Sequence, residues 1–273
     1  MLLLALDTST RFASVALCSE NELFSEYTWY AENNHSVDLL ERIQSMTAKR
    51  QISLQQLDAI AVATGPGSFN GVRVALAAAK ALAFSLQKPL IGVGTLDVIA
   101  AQQQQWRGPI CAILEAGRSE LYAACYLSEE QGSTDADVRY RQQQVGDYFL
   151  GTAPQLLEHL QSQIARWPVP ISTPVLFCGE IKPASRQALQ QGMAGQSRIR
   201  DGLLSTRHAS VLAYLAMQRL QDGKIDDPLL LEPLYLRRPS ITKSSRKQAL
   251  LGAESPQAID HDTKEREQGA LRH

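Results

Sequence analysis

Short apolar runs alternate with longer amphipathic segments over the first hundred residues of the chain. Brief apolar or alternating runs bounded by turn residues predict strands, whereas apolar side chains at helical spacing, or many alanines, predict helices. The predicted strands are residues 2–6, 13–18, 22–28, 59–63 and 90–93. The predicted helices begin near Ser36, Val72 and Leu96. Thr95 would cap the last of them, which would end near Gln105. The order β-β-β-α-β-α-β-α is typical of a mixed sheet covered by helices.

A second series of elements follows a polar boundary at residues 106–109. It comprises predicted strands at residues 109–114, 120–127, 138–144 and 174–178 and predicted helices at residues 153–166, 182–191 and 208–220. We therefore divide the chain into an N-terminal lobe of residues 1–105, a C-terminal lobe of residues 106–239 and a tail of residues 240–273. The tail is predicted to be disordered, because it is polar and poor in aromatic residues.

The composition supports a packed core and excludes several kinds of partner. Apolar residues make up 44% of the 273 positions, and the net charge of −1 provides no general attraction for nucleic acid. The four cysteines form no C-x-x-C pair, so zinc is not expected and buried free thiols are. The N-terminus lacks the basic region of a signal peptide, and no apolar run reaches the roughly 18 residues of a membrane span. These features predict a cytoplasmic protein.

The repeated order of elements resembles the plan of actin, the sugar kinases and the Hsp70 ATPases. The predicted fold class is therefore α/β, an actin-like ATPase (ASKHA) fold with two β-β-β-α-β-α lobes, the second reduced. In that fold the first hairpin turn meets phosphate, so Asp7 would orient a metal-bound water while Thr8 and Ser9 cradle the oxygens. An ordinary hydrogen-bonded turn uses the same residue types and is the alternative.

Residues 64–73, Thr-Gly-Pro-Gly-Ser-Phe-Asn-Gly-Val-Arg, join a predicted buried strand to the alanine-rich helix. Gly65 and Gly67 permit backbone angles that other residues avoid, and Pro66 fixes its own φ. Ser68 or Asn70 can cap the helix. Free N–H groups at such a helix start favour an anion, and a tight turn that binds nothing is the alternative.

Motifs of several enzyme classes are missing from the sequence. The five histidines show neither H-x-x-x-H nor H-E-x-x-H spacing, so no metal site is predicted. There is no G-x-S-x-G elbow, and residues 65–73 lack the lysine of a phosphate-binding P-loop. The charges of Glu115, Arg118 and Glu120, between two predicted strands, either face the cleft between the lobes or lie in solvent.

Several stretches together resemble the bacterial TsaB (YeaZ) family. Residues 65–73 are similar to its Gly-Pro-Gly-Ser-Phe-Thr-Gly-Leu-Arg signature, with Asn70 in place of Thr. Val74 and Ala75 replace a usual Ile-Gly, and residues 115–118 depart from a usual Asp-Ala-Arg, which leaves no role to assign to Arg118. The other matching stretches are residues 4–10, 14–17, 35–40, 91–97, 120–122 and 235–239.

The resemblance implies an actin-like fold that has lost catalysis. TsaB subunits help to make threonylcarbamoyl-adenosine next to the anticodon of tRNA, pair with the catalytic TsaD subunit and are joined by the ATPase TsaE. We thus expect no catalytic residue, no metal, no membrane contact and tRNA contact only through the complex. No cofactor is expected in the chain itself, and ATP or ADP at an interface of the complex and a homodimer of the chain alone are left open. Protease chemistry, which has been ascribed to the family, has no basis in these residues.

The expected site residues fall into three groups. Asp7, Thr8 and Ser9 would be the remnant of a nucleotide loop. The signature turn comprises Gly65, Pro66, Gly67, Ser68, Phe69, Gly71 and Arg73. The partner interface would comprise His35, Ser36, Leu39, Leu40, Ile43, Ala75, Ala78 and Ala79, since small residues let a second helix approach closely. An alanine-rich helix buried on two sides within the monomer is the alternative there, and an active ATPase or phosphotransferase is the alternative function.

Overall fold

Ten strands form two five-stranded sheets in the computed structural model, which describes residues 1–31, 35–131, 139–167 and 173–237. The first sheet has the order β3-β2-β1-β4-β5, with antiparallel hairpins on one side of β1 and parallel neighbours on the other. Two crossover helices make the parallel pairing possible. The strands are β1 (Leu2–Asp7), β2 (Phe12–Ser19), β3 (Leu23–Tyr30), β4 (Ala59–Ala63) and β5 (Leu90–Val93).

The second sheet repeats this order with the next five strands. Read from its antiparallel edge, it is β8-β7-β6-β9-β10, with β9 parallel to both β6 and β10. The repeat confirms the predicted actin-like class, and the predicted reduction of the second lobe is limited to its three-residue fifth strand. The strands are β6 (Ile110–Gly117), β7 (Glu120–Gln131), β8 (Arg139–Thr152), β9 (Val175–Glu180) and β10 (Ser197–Ile199).

Helices cover the two sheets on both faces. The helices are α1 (His35–Arg50), α2 (Phe69–Leu86), α3 (Thr95–Ala101), α4 (Ala153–Ile164), α5 (Pro183–Gly192) and α6 (Ala209–Gln221). Helices α1 and α2 pack on one face of the first sheet, and α6 packs on its other face. Helix α3 contributes side chains to the cores of both sheets, while α4 and α5 cover the far face of the second sheet. The last helix of the chain is therefore part of the core of the first sheet.

Three element predictions need correction. Gly94, not Thr95, is the N-cap of α3, and the buried Thr95 hydroxyl has no hydrogen-bond partner. That helix ends at Ala101 instead of near Gln105. Strand β8 continues to Thr152 because the chain resumes its pairing with β7 beyond the bulge near Gly146, which has a φ of +73°. Strand β10 was not predicted, since three residues are too short for a periodic signal.

Three further predictions concern the cysteines, membrane spans and the C-terminal tail. All four cysteines are buried free thiols, as expected, and burial raises the pKa of Cys18 to about 11. Contrary to the sequence expectation, α2 is long and apolar enough by length and composition alone to cross a membrane. Its inner face lies in the core of the first sheet, so this is weak evidence for a span. The tail of residues 240–273 lies outside the described residues, and the division at residue 105 stays a prediction.

Candidate functional site

The turn between β1 and β2 uses its polar atoms inside the protein. Asp7, Thr8 and Ser9 are at most 1% exposed. Thr8 Oγ1 donates to the Gly71 carbonyl over 2.6 Å and accepts from the Ala75 N–H over 3.1 Å. Asp7 Oδ1 accepts from the Ser9 N–H over 2.8 Å and from the Ser9 hydroxyl. The predicted phosphate-loop side chains are therefore engaged with one another and with the start of α2.

The signature turn closes directly onto this hairpin turn. The Ser68 N–H donates to the Ser9 carbonyl over 2.7 Å. A Cβ atom at Gly67 would lie 2.2 Å from the Ser9 carbonyl oxygen, and one at Gly71 would lie 2.1 Å from the Thr8 carbonyl oxygen. The sequence predicted Gly67 for its backbone angles, but the structure requires it because the two backbones touch. The two turns are thus in direct backbone contact at these positions.

Gly65 and Ser68 have the local roles expected from their residue types. Gly65 has a φ of +101°, a conformation that favours glycine, and the peptide bond to Pro66 is cis. Of the two candidate caps, Ser68 is the N-cap of α2 and its hydroxyl accepts from the Gly71 N–H over 3.3 Å. Asn70 is an exposed residue of the first helical turn. The turn therefore fixes the direction in which α2 leaves the sheet.

A buried arginine completes the site from a distant part of the chain. Arg207, which is 1% exposed, donates through Nε to Asp7 Oδ2 over 2.9 Å and through Nη1 to Glu180. Its Nη2 donates to Thr10 Oγ1 over 3.1 Å and to the Phe12 carbonyl over 2.8 Å. We call Asp7, Thr10, Glu180 and Arg207 the Arg207 cluster. It joins the β1–β2 turn to the end of β9 in the second sheet.

Arg207 keeps its charge in the buried cluster because it is paired with two carboxylates. Burial alone lowers the pKa of Arg207, but the carboxylates of Asp7 and Glu180 outweigh burial and hold that pKa above its ordinary value. A buried charge is tolerated only when it is paired and hydrogen-bonded. Sequence reasoning missed Arg207, since it precedes α6 by two positions and nothing in the local pattern marks it. Asp7 therefore faces an internal cation.

The surface beside the signature turn carries an aromatic stack. Phe69 and Tyr235 lie with ring centroids 5.2 Å apart, and the Arg73 guanidinium lies 4.9 Å from the centre of the Phe69 ring. Leu234 donates its N–H to the Thr64 carbonyl over 2.8 Å. The segment ending at Arg237, which pairs with Glu120, therefore covers one side of the signature turn.

The second lobe offers no phosphate loop in the part that the structure describes. Glu115 accepts the Lys182 N–H over 2.9 Å, and Glu120 pairs with Arg237. Gly179, the one glycine considered for such a loop, lies so close to β6 that a Cβ would be 2.1 Å from the Ile113 carbonyl oxygen. Within the described ranges, no group of three or more His, Cys, Asp or Glu side chains could hold a metal ion.

Half of the expected interface residues face inward. Leu39, Ile43, Ala75 and Ala79 are at most 4% exposed and belong to the core formed by α1, α2 and the first sheet. They are not exposed contact residues, because the helices need their apolar faces to cover the sheet. Ala78 is half-buried against the same core, and Ser36 and Leu40 are exposed. His35 begins α1, and its side chain lies outside the described part of the chain.

An exposed apolar surface nevertheless remains on these two helices. Val37 and Leu40 are 65% and 57% exposed, and Phe84 is 69% exposed. Ala77 and Ala81 are also exposed on α2. Helices α1 and α2 touch and cover the same side of the first sheet, and we call their exposed apolar residues the α1–α2 face. Val37 and Leu40 lie near the start of α1, Ala77 and Ala81 along the middle of α2, and Phe84 in its last turn. Only Leu40 of these five was predicted.

Known proteins resemble this chain over most of its length. The family described as "TsaD: tRNA N6-adenosine threonylcarbamoyltransferase" matches residues 29–244. The tRNA threonylcarbamoyladenosine biosynthesis protein TsaB of Bacillus subtilis (strain 168) is 29% identical, and the match covers 87% of this chain and 94% of that protein. The protein of the same name from Escherichia coli (strain K12) is 27% identical, with 87% and 95% covered.

Solved structures agree with the sequence comparisons. YeaZ from Pseudomonas aeruginosa is 25% identical with a TM-score of 0.65, and the match covers 86% of this chain and 99% of that one. A second structure from that organism, described as an uncharacterized protein with similarity to peptidase YEAZ, is 26% identical with a TM-score of 0.66 and the same coverage. The chain therefore belongs to the tRNA N6-adenosine threonylcarbamoyltransferase family, in its TsaB (YeaZ) group.

Proposed function

We propose that this protein acts in the biosynthesis of threonylcarbamoyladenosine in tRNA as a non-catalytic subunit. It would pair with a TsaD-like catalytic subunit, associate with a TsaE-like ATPase, act in the cytoplasm and reach tRNA within that complex. The names of the relatives support the process. The finer role is our proposal and depends on the site and on the surface of α1 and α2.

The observation that carries the non-catalytic role is the closed β1–β2 turn. A phosphate loop needs free N–H groups and hydroxyls, and an acidic residue there needs room for a metal-bound water. Here the Thr8 and Ser9 groups bond to α2 and to Asp7, while Asp7 pairs with Arg207. These residues do not fit a nucleotide phosphate or its metal, so we propose no cofactor within the chain.

The partner would contact the α1–α2 face. Scattered exposed apolar residues are common, but here two touching helices both leave apolar side chains exposed, Val37 and Leu40 near the start of α1 and Phe84 in the last turn of α2. Two such helices can pack against a similar pair, and the small side chains of Ala77 and Ala81 allow close approach. In the absence of a partner, the same face is available to a second copy of the chain.

Substitution of Ala77 by arginine tests this surface. We expect Ala77→Arg to weaken binding to the TsaD-like subunit on the order of a hundredfold, because it would bury an unpaired charge at the contact. Calorimetry with the two purified proteins measures the affinity. Ala184→Arg, at an exposed position of α5 on the second lobe, is the matched control and should bind normally. Normal binding by a folded Ala77→Arg protein would remove the α1–α2 face from the proposal.

ATP turnover by the isolated chain tests the alternative function, an active ATPase or phosphotransferase. We expect no ATP hydrolysis above that of buffer and no modification of tRNA. The comparison protein is Asp7→Asn, which keeps the size of the side chain and removes its charge. Robust turnover by the wild-type chain, lost in an Asp7→Asn protein that is folded by circular dichroism, would establish the alternative.

A further inference from the structure

We infer that Arg207 is a positioning residue for α2, acting through Asp7 and the β1–β2 turn on the helix that carries most of the α1–α2 face. The inference rests on the proposed function for its binding readout and is independent of it for its hydrogen-exchange readout. Arg207 is almost completely buried and is not part of the α1–α2 face. Any effect on a partner must therefore pass through other residues.

The first step leads from Arg207 to the hairpin turn. Asp7 has one oxygen, Oδ2, on Arg207 and the other, Oδ1, on Ser9. Because a carboxylate is planar and rigid, a guanidinium that fixes Oδ2 also fixes the direction of Oδ1. Charge-assisted hydrogen bonds are stronger than neutral ones, and this pair is shielded from water. The position of Ser9 thus depends on Arg207.

The second step leads from the hairpin turn to α2. Ser9 accepts the N–H of Ser68, the N-cap of α2, and Thr8 bonds to both Gly71 and Ala75 in the first two helical turns. The contact is close because Gly67 and Gly71 carry no Cβ. Protein interiors are close-packed, so a shift of the hairpin turn displaces the start of the helix instead of being absorbed.

The other side of Arg207 is held by the second lobe. Its guanidinium bonds to Glu180 at the end of β9, and Thr10 donates to the same carboxylate over 3.0 Å. Arg207 itself lies just before α6, whose Ala209 N–H donates to Ser14 in β2 over 3.0 Å. The Arg207 side chain therefore connects the start of α2 to both sheets, through Asp7 to the first and through Glu180 to the second.

The test combines hydrogen exchange with partner binding in Arg207→Ala and Arg207→Lys. We expect faster amide exchange over residues 68–75, with the amides of β4 and β6 unchanged, and an affinity for the TsaD-like subunit reduced by about 3- to 30-fold. Methylguanidinium chloride should restore both readouts in Arg207→Ala by filling the space left by the side chain. Sodium chloride at the same concentration should not. If Arg207→Ala does not fold, Arg207→Lys, which keeps the charge with fewer donors, gives the same two readouts.

Arg219→Gln is the matched control for general destabilisation. Arg219 is a partly buried arginine of α6 that bonds to the Gly92 carbonyl and pairs with Asp226, away from the β1–β2 turn. Its loss should leave exchange over residues 68–75 and partner affinity unchanged. Unchanged exchange over residues 68–75 in a folded Arg207 variant, or equal effects of Arg219→Gln, would overturn the inference. If Ala77→Arg binds the partner normally, the proposed partner contact at the α1–α2 face is wrong. Hydrogen exchange over residues 68–75 then decides the role of Arg207 by itself.

Discussion

At the scale of single residues, the buried Asp7 and the partly buried Asp97 differ in what their carboxylates contact. Asp7 has a guanidinium in direct contact, whereas Asp97 accepts from the Tyr126 hydroxyl over 2.7 Å. Burial raises the pKa of Asp97 more than the hydrogen bonds from Tyr126 and Gly94 and the charge of Arg219 lower it. Burial therefore disfavours the charged form of the Asp97 carboxyl group.

The raised pKa of Asp97 predicts that ionisation of this carboxyl group lowers the free energy of unfolding as the pH rises. Between the ordinary pKa and the raised one, the folded state binds the proton more tightly than the unfolded state does. The contribution of Asp97 to the free energy of unfolding is therefore present below the ordinary pKa and is lost as the pH rises through the raised value. We expect Asp97→Asn, which retains a hydrogen-bond acceptor for Tyr126, to gain stability relative to wild type over the pH range from the ordinary aspartate pKa up to the raised one.

Urea unfolding of both proteins across that range measures this difference. The other titrating groups are common to the two proteins and largely cancel in the comparison. A difference in the free energy of unfolding that is constant with pH would contradict the assigned direction of the pKa shift.

At the scale of elements, the contact between the β1–β2 turn and the signature turn depends on two missing Cβ atoms. We expect Gly67→Ala to lower the free energy of unfolding by about 1–3 kcal/mol, because its Cβ would overlap the Ser9 carbonyl oxygen and force the turns apart. Urea unfolding followed by circular dichroism measures the loss.

Gly202→Ala is the control for that substitution. Gly202 has open space around the position of a Cβ and needs no left-handed backbone, so its change should be within about 0.5 kcal/mol. Equal effects of the two substitutions would show that the contact between the turns is not the cause of the loss at Gly67.

Element type could be predicted from the sequence because periodicity reflects local burial. The orientation of α2 could not, because alanine is found on both of its faces. Ala75 and Ala79 face the sheet, whereas Ala77 and Ala81 face outward, and the side chains are identical. The rotation of the helix is set by its larger residues and by the close contact of Gly71 with Thr8, which is a tertiary constraint.

At the scale of the whole molecule, the sequence predicted only those site residues that lie close together along the chain. Asp7 and the signature turn were recognised because each lies in a short motif. Arg207 comes to Asp7 through the packing of α6 on the first sheet, and Glu180 at the end of β9 in the second sheet binds Arg207. A pairing of this kind leaves no periodic or local signal, since the reason for the buried arginine is the carboxylate 200 positions away.

The contribution of the C-terminal tail is the remaining question at this scale, and it can be decided by truncation. We expect a chain ending at Ser240 to keep the melting temperature and the partner affinity of the full chain. The reason is compositional: the removed segment is polar and poor in aromatic residues, so it can bury too little apolar area to offset the entropy of ordering it. Differential scanning calorimetry and titration with the TsaD-like subunit measure the two quantities. A fall of several degrees in the melting temperature would mean that the tail packs on the body, and a loss of affinity without such a fall would place a partner contact in the tail itself.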